Sequence, residues 1–170
     1  HDPHGLGLLL EVGEQGPAEL LPSGMGHLDE ALGDLRDQPH PVRQAEQDYP
    51  IRVGLIMSMN RHEEVAVGQQ VAELATAYRG EIAGLDLAGD EVAFSARPFS
   101  RLFHRAKEAG LGITVHAGEW RGSDNIIESI EHLCADRIGH GVRAIESGPV
   151  VDYLRRHQIT LEICPTSNIQ

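Results

Sequence analysis

Residues 112–141 read GITVHAGEWRGSDNIIESIEHLCADRIGHG, and this stretch decides the fold. Gly112–His116 is a short β-branched run that ends on a histidine. Ser123–Leu133 opens with Ser123, Asp124 and Asn125 as capping residues and sets Ile126, Ile127, Ile130 and Leu133 along one helical stripe. Arg137–His140 is a second short run, again ending on a histidine. Strand, amphipathic helix, strand is the unit of parallel α/β construction.

The same alternation extends in both directions. Arg52–Met57, Ile82–Leu87 and Ile159–Cys164 supply further strands. Glu63–Tyr78 places Val67, Val71, Leu74 and Ala75 on one face of a helix, and Phe99–Ala109 does so with Phe99, Leu102, Phe103 and Ala106. Pro149–His157 starts with a first-turn proline and presents Val150, Val151 and Leu154. The units repeat every roughly 23–30 residues, the repeat of an eight-unit barrel of about 250 residues. The expected fold class is therefore α/β, a partial (β/α)8 TIM-type barrel; periodicity alone leaves an open doubly wound sheet as the alternative.

Residues 1–50 break the pattern. They hold ten acidic and two basic side chains, six of the nine prolines and seven of the nineteen glycines. No period of 3.6 or 2 is sustained in residues 1–22; Leu28–Leu35 could make two helical turns before Pro39 and Pro41 stop it. The stretch is expected to be poorly ordered or weakly helical. The chain starts at His1 and not at a methionine, from which its true beginning is expected to be absent.

Over all 170 residues the net charge is -12, a surplus that argues against binding nucleic acid or an anionic membrane surface. No apolar run reaches the ~18–20 residues of a membrane span, and nothing resembles a signal peptide. Cys134 and Cys164 are too few for a disulfide scaffold and fit a reducing compartment. A cytoplasmic protein is expected.

The carboxyl ends of the last four strands carry polar groups: Asp86-Leu87-Ala88-Gly89-Asp90-Glu91, His116-Ala117-Gly118-Glu119, His140-Gly141 and Cys164-Pro165-Thr166-Ser167-Asn168. In parallel α/β folds these ends form the active-site rim. His116 alone reads as a hydrogen-bonded core histidine or a metal ligand, and Glu119 as a loop carboxylate or a general acid or base. His140 sits between Gly139 and Gly141, which serve either a turn or a crowded ring. Two histidines ending adjacent strands tip the balance toward a site. Gly89 permits close backbone approach of a ligand or makes a plain turn, and Asp86 and Asp90 are read as caps of the segment after β-strand residues 82–87. Cys164 reads as a small buried cysteine in preference to a thiol nucleophile. His62, His104, His132 and His157 are assigned to the surface; His1 and His4 are not assigned as ligands.

These four motifs, in this order, resemble the adenosine deaminase family from about Asp48 to Gln170. The resemblance implies a zinc-dependent barrel hydrolase converting adenosine or 2'-deoxyadenosine to inosine or 2'-deoxyinosine and ammonia, a small-molecule substrate with neither nucleic acid nor membrane as partner. The His-x-Glu and Pro-Cys-x-x-Cys signature of the cytidine-deaminase type is absent. By motif, His116 is similar to a zinc ligand, Glu119 to the donor of a proton to purine N1, His140 to the histidine orienting the attacking water, and Gly89 to the glycine whose N–H meets the purine. The family's His-x-His strand and its Ser-Leu-Asp-Asp segment have no counterpart here. One Zn2+ is expected per complete site, and the site is expected to be incomplete in this chain. Residues 1–47 do not match, and 48–170 correspond to strands 3 to 7 of the barrel with their helices. An inactive fragment is expected. The alternatives are a non-catalytic purine-binding or non-functional product and, within the class, a deaminase of adenine or another 6-aminopurine.

Overall fold

The structure, a computed structural model, describes residues 7–12 and 41–169. In chain order the elements are β1 (Gly7–Val12), α1 (Pro41–Asp48), β2 (Val53–Asn60), α2 (Val65–Ala77), β3 (Ile82–Ala88), α3 (Ser100–Glu108), β4 (Gly112–Ala117), α4 (Asp124–Leu133), β5 (Arg137–His140), α5 (Gly148–His157), β6 (Thr160–Glu162) and α6 (Pro165–Asn168). Short 3-10 turns at Arg97–Phe99 and Val142–Glu146 lead into α3 and α5. Each strand and helix expected from Arg52 onward is present, with ends that differ by a few residues.

One sheet runs β1-β2-β3-β4-β5-β6, with β2 to β6 parallel. A doubly wound sheet reverses its strand order at a switch point. Here every strand neighbours the next in sequence, so that alternative falls, and the five parallel strands with their helices form part of a barrel wall.

Strand pleating separates two faces. Leu55, Met57 and Met59 of β2, Leu85 and Leu87 of β3, and Ile113, Val115 and Ala117 of β4 belong to the buried apolar cluster with Val71, Phe99, Phe103, Ile126 and Leu133 from the helical layer. Each such large side chain taken from water contributes about 1.5–3 kcal/mol before chain entropy is charged against it. The opposite face carries Ser58, Asp86 and Thr114, aligned in register across β2, β3 and β4, and then His116. The apolar face holds the fold, leaving the other free for polar chemistry.

Two elements lie where the sequence suggested poor order or weak helix. Strand β1 pairs antiparallel with β2, from Gly7 opposite Ser58 to Val12 opposite Val53. Helix α1 begins at Pro41, a residue read from the sequence only as the stop of an earlier helix; a first-turn proline gives up only an N–H that would be unpaired anyway. The helix expected at Leu28–Leu35, and His1 and His4, lie outside the described residues. Ser123 stands at the N-cap of α4 without a side-chain cap bond, and Asn125, read as a capping residue, is buried instead. No helix among the described residues is long and apolar enough to cross a membrane.

Candidate active site

His116 is the penultimate residue of β4 and projects from the polar face. Its Nε2 lies 3.4 Å from Asp86 Oδ2, and the same oxygen accepts a 2.7 Å hydrogen bond from Ser58 Oγ. Asp86 is buried within the sheet, which corrects its reading as a cap. Asp90 does cap, accepting the N–H groups of Val92 and Ala93 at 2.8 and 3.0 Å. Burial lowers the His116 pKa to about 4, the His140 and Arg61 charges adding to the shift and the Glu119 and Glu91 carboxylates opposing it. The ring is therefore neutral at pH 7, the form in which imidazole binds a metal.

Room for that ring comes from the neighbouring strand. Gly139 faces His116 in register, and a Cβ there would stand 2.8 Å from His116 Cδ2. The glycine before His140 thus serves the other histidine.

His140 ends β5 with φ +64, rare for a residue with a side chain. Regular pleating would send it to the same side as Ile138. The left-handed backbone instead sets its ring 5.1 Å from that of His116, edge to face. His140 Nε2 is 3.3 Å from Glu119 Oε2, and the Asn168 amide donates to His140 Nδ1 at 2.9 Å. A donor at Nδ1 places the ring proton on Nε2, toward Glu119. Asn168 also reaches Glu119 Oε1 at 3.5 Å. Carboxylate, imidazole and amide thus converge from just beyond β4, from the end of β5 and from α6. Gly89 follows β3 with φ +95 and is exposed at the same rim. All four residues singled out from sequence therefore lie along one edge of the sheet.

Two buried charges support that edge and were not singled out. Arg61, just beyond β2, donates from its backbone N–H to Ala88 O at 2.9 Å and from Nη2 to His116 O at 2.5 Å, tying the ends of β3 and β4. Its pKa is lowered by burial, against the pull of Glu91, Asp86, Asp90 and Glu128. Glu91 is also buried and accepts backbone N–H groups from the loop that carries Glu119. An arginine at a strand end was the available signal for the first. For the second there was only a carboxylate in the motif that holds Gly89.

Cys164 is exposed, which corrects the expectation of a buried cysteine. Its thiol donates to Glu162 O at 3.4 Å, and partial burial with the Glu162 and Glu119 charges raises its pKa, opposite to what a nucleophile needs. His62, His104 and His157 are exposed and His132 partly so.

Zinc sites take three or four protein donors. Among the described residues no three His, Cys, Asp or Glu side chains converge to hold a metal ion. The described residues do not by themselves fit a zinc ion, and the chemistry they offer is that of protons and hydrogen bonds.

Residues 38–170 match the family model described as Adenosine deaminase. The adenosine deaminase of Escherichia coli O1:K1 / APEC is 46% identical over 129 residues, 76% of this chain and 39% of that protein. The crystal structure of adenine deaminase from Arthrobacter aurescens aligns with a TM-score of 0.69 and 34% identity, covering 75% of this chain and 39% of that one. An amidohydrolase from Burkholderia ambifaria, solved with bound Zn, shares the fold at a TM-score of 0.69 and 24% identity over 75% of this chain and 35% of its own. This chain spans about two fifths of the length of the curated relatives it matches.

Proposed function

The chain belongs to the adenosine deaminase family, and on that footing we propose that it carries the proton-handling part of a site that deaminates adenosine and 2'-deoxyadenosine. In the net reaction water adds at purine C6, the C6–N bond breaks, and ammonia leaves with inosine or 2'-deoxyinosine. The observation that carries this reading is the Glu119–His140–Asn168 cluster, with Glu119 Oε2 at 3.3 Å from His140 Nε2 on the rim.

In this reading Glu119, as a carboxylic acid, donates to purine N1 while C6 becomes tetrahedral. His140, held by Asn168 at Nδ1, keeps Nε2 for the attacking water and for Glu119. Gly89 offers its backbone N–H to the purine from an exposed position at the rim. His116, neutral and backed by Asp86, is proposed as one zinc donor; a zinc ion needs further donors that the described residues do not supply. Identity of 46% to an adenosine deaminase against 34% to an adenine deaminase favours the nucleoside over the free base. A cytoplasmic location is part of the same reading and is supported by two free cysteines.

A second reading applies to the chain by itself. The absence of three converging metal donors among the described residues favours a purine-binding rim without turnover.

A chimera tests the proposal. The 129 aligned residues replace their counterpart in the Escherichia coli adenosine deaminase, which restores whatever that protein supplies outside them. Ammonia release from adenosine, lost by a factor of about 10²–10⁴ on Glu119→Gln, is the expected result. A folded chimera that deaminates adenine and not adenosine assigns the free base; one that deaminates no 6-aminopurine overturns the reading.

A further inference from the structure

We propose that Glu91 is a positioning residue whose buried carboxylate gathers the backbone N–H groups of Gly118–Arg121 and thereby sets where Glu119 stands against His140. Oε1 accepts from the N–H groups of Glu119, Trp120 and Arg121 at 2.8, 2.5 and 2.8 Å. Oε2 accepts from Gly118 N–H at 2.9 Å and from the buried Asn125 side chain. Five donors thus converge on a residue that is 3% exposed. A carboxylate has about four lone-pair sites, so this capacity is fully used.

The segment that Glu91 holds belongs to neither strand nor helix. Strand β4 ends at Ala117 and α4 starts at Asp124, leaving the N–H groups of 118–121 without a ladder or a helical turn to satisfy them. Two of the loop's carbonyls are bound from elsewhere: Gly118 O accepts from Arg143 N–H at 2.9 Å, and Trp120 O from Arg143 Nη1 at 2.8 Å. Donors are thereby fixed to the β3 side and acceptors to the β5 side. Glu119 is suspended between them by its own backbone, with its carboxylate at His140 Nε2 and near Asn168. A hydrogen bond to a buried charge is among the stronger ones available, and four consecutive ones remove the local freedom of the loop. Precise placement of an acid within hydrogen-bond reach matters because small displacements weaken proton transfer steeply.

The catalytic sense of this role rests on the deaminase reading of Glu119. The measurement does not: it reads amide hydrogen exchange and histidine ring signals by NMR in the 170-residue chain. In the wild-type chain the amides of Gly118–Arg121 are expected to exchange far more slowly than free loop amides. In Glu91→Gln, which offers one acceptor oxygen in place of two, they are expected to exchange roughly tenfold to a hundredfold faster. The His140 ring signals are expected to shift at the same time, while the amides of Leu85 and Val115 keep their rates. Glu91→Asp, which retains the charge one methylene further back, is expected to restore part of the protection and of the His140 signals. Where Glu91→Gln does not fold, the wild-type rates and Glu91→Asp carry the test. Unprotected amides at 118–121 in the wild type overturn the proposal. So does acceleration spread evenly over all strand amides, or a His140 ring that does not respond to the change at Glu91.

Discussion

A methyl group at position 139 would meet His116 Cδ2 at 2.8 Å, with the ring's Cγ and Nε2 at 3.1 and 3.2 Å. Neither strand can yield, because His116 and Gly139 are paired in the ladder, so the ring must leave its place beside Asp86. Gly139→Ala is expected to cost about 1–3 kcal/mol in urea unfolding and to displace the His116 ring signals with the sheet intact. The His116 proton gives a second expectation. Its folded pKa of about 4 lies below the ordinary 6.5, so the unfolded chain binds the proton more tightly. Stability from this group is complete above pH 6.5 and declines as pH falls from there to about 4. Urea midpoints at about pH 7 and about pH 5 are expected to differ more for the wild type than for His116→Asn. His116, Glu119, His140 and Gly89 were legible as candidates because each stands at or just beyond the end of a local strand run. Arg61, Glu91 and Asn168 were not, since their partners lie 27 to 55 residues away and only folding brings them close.

The helical layer shows how an element is read from its pattern. In α3 the side chains of Leu102, Phe103 and Ala106 are all buried, as the stripe in the sequence required, while Arg101, His104 and Arg105 face water. Phe103 is fully buried in the cluster that supports the apolar face of β3 and β4. Phe103→Ala is expected to cost about 3–5 kcal/mol and to lower the thermal midpoint. The His116–His140 ring signals are expected to be unchanged below that midpoint, because the site lies on the opposite face. Strand β1 was not legible for the converse reason. Gly7-Leu8-Leu9-Leu10-Glu11-Val12 has no alternation, and its register comes from β2 through antiparallel backbone pairing, a partner that local sequence does not reveal. Helix α1 was missed because proline was weighed as a breaker without regard to its place in the first turn.

Across the whole molecule, a sheet with one apolar and one polar face makes different demands on its two sides. The apolar side of β2 to β4 packs against the described helices. The polar side brings Ser58, Asp86, Thr114 and His116 into one field, with His140 and Glu119 at its rim. His116 meets Asp86 at 3.4 Å and His140 meets Glu119 at 3.3 Å, but among the described residues no three such groups converge on one point. One imidazole and one carboxylate already hydrogen-bonded to Ser58 cannot hold zinc against water, because affinity of that order comes from three or four donors acting together. The folded 170-residue chain, loaded with zinc and dialysed, is therefore expected to retain far less than one equivalent by elemental analysis. His116→Asn is expected to change that residual little. Incubated with adenosine, the same preparation is expected to release no ammonia above the blank, whereas the chimera that supplies the remaining donors releases it. One retained equivalent of zinc together with ammonia release from the chain alone would sink this expectation and point to donors outside the described residues.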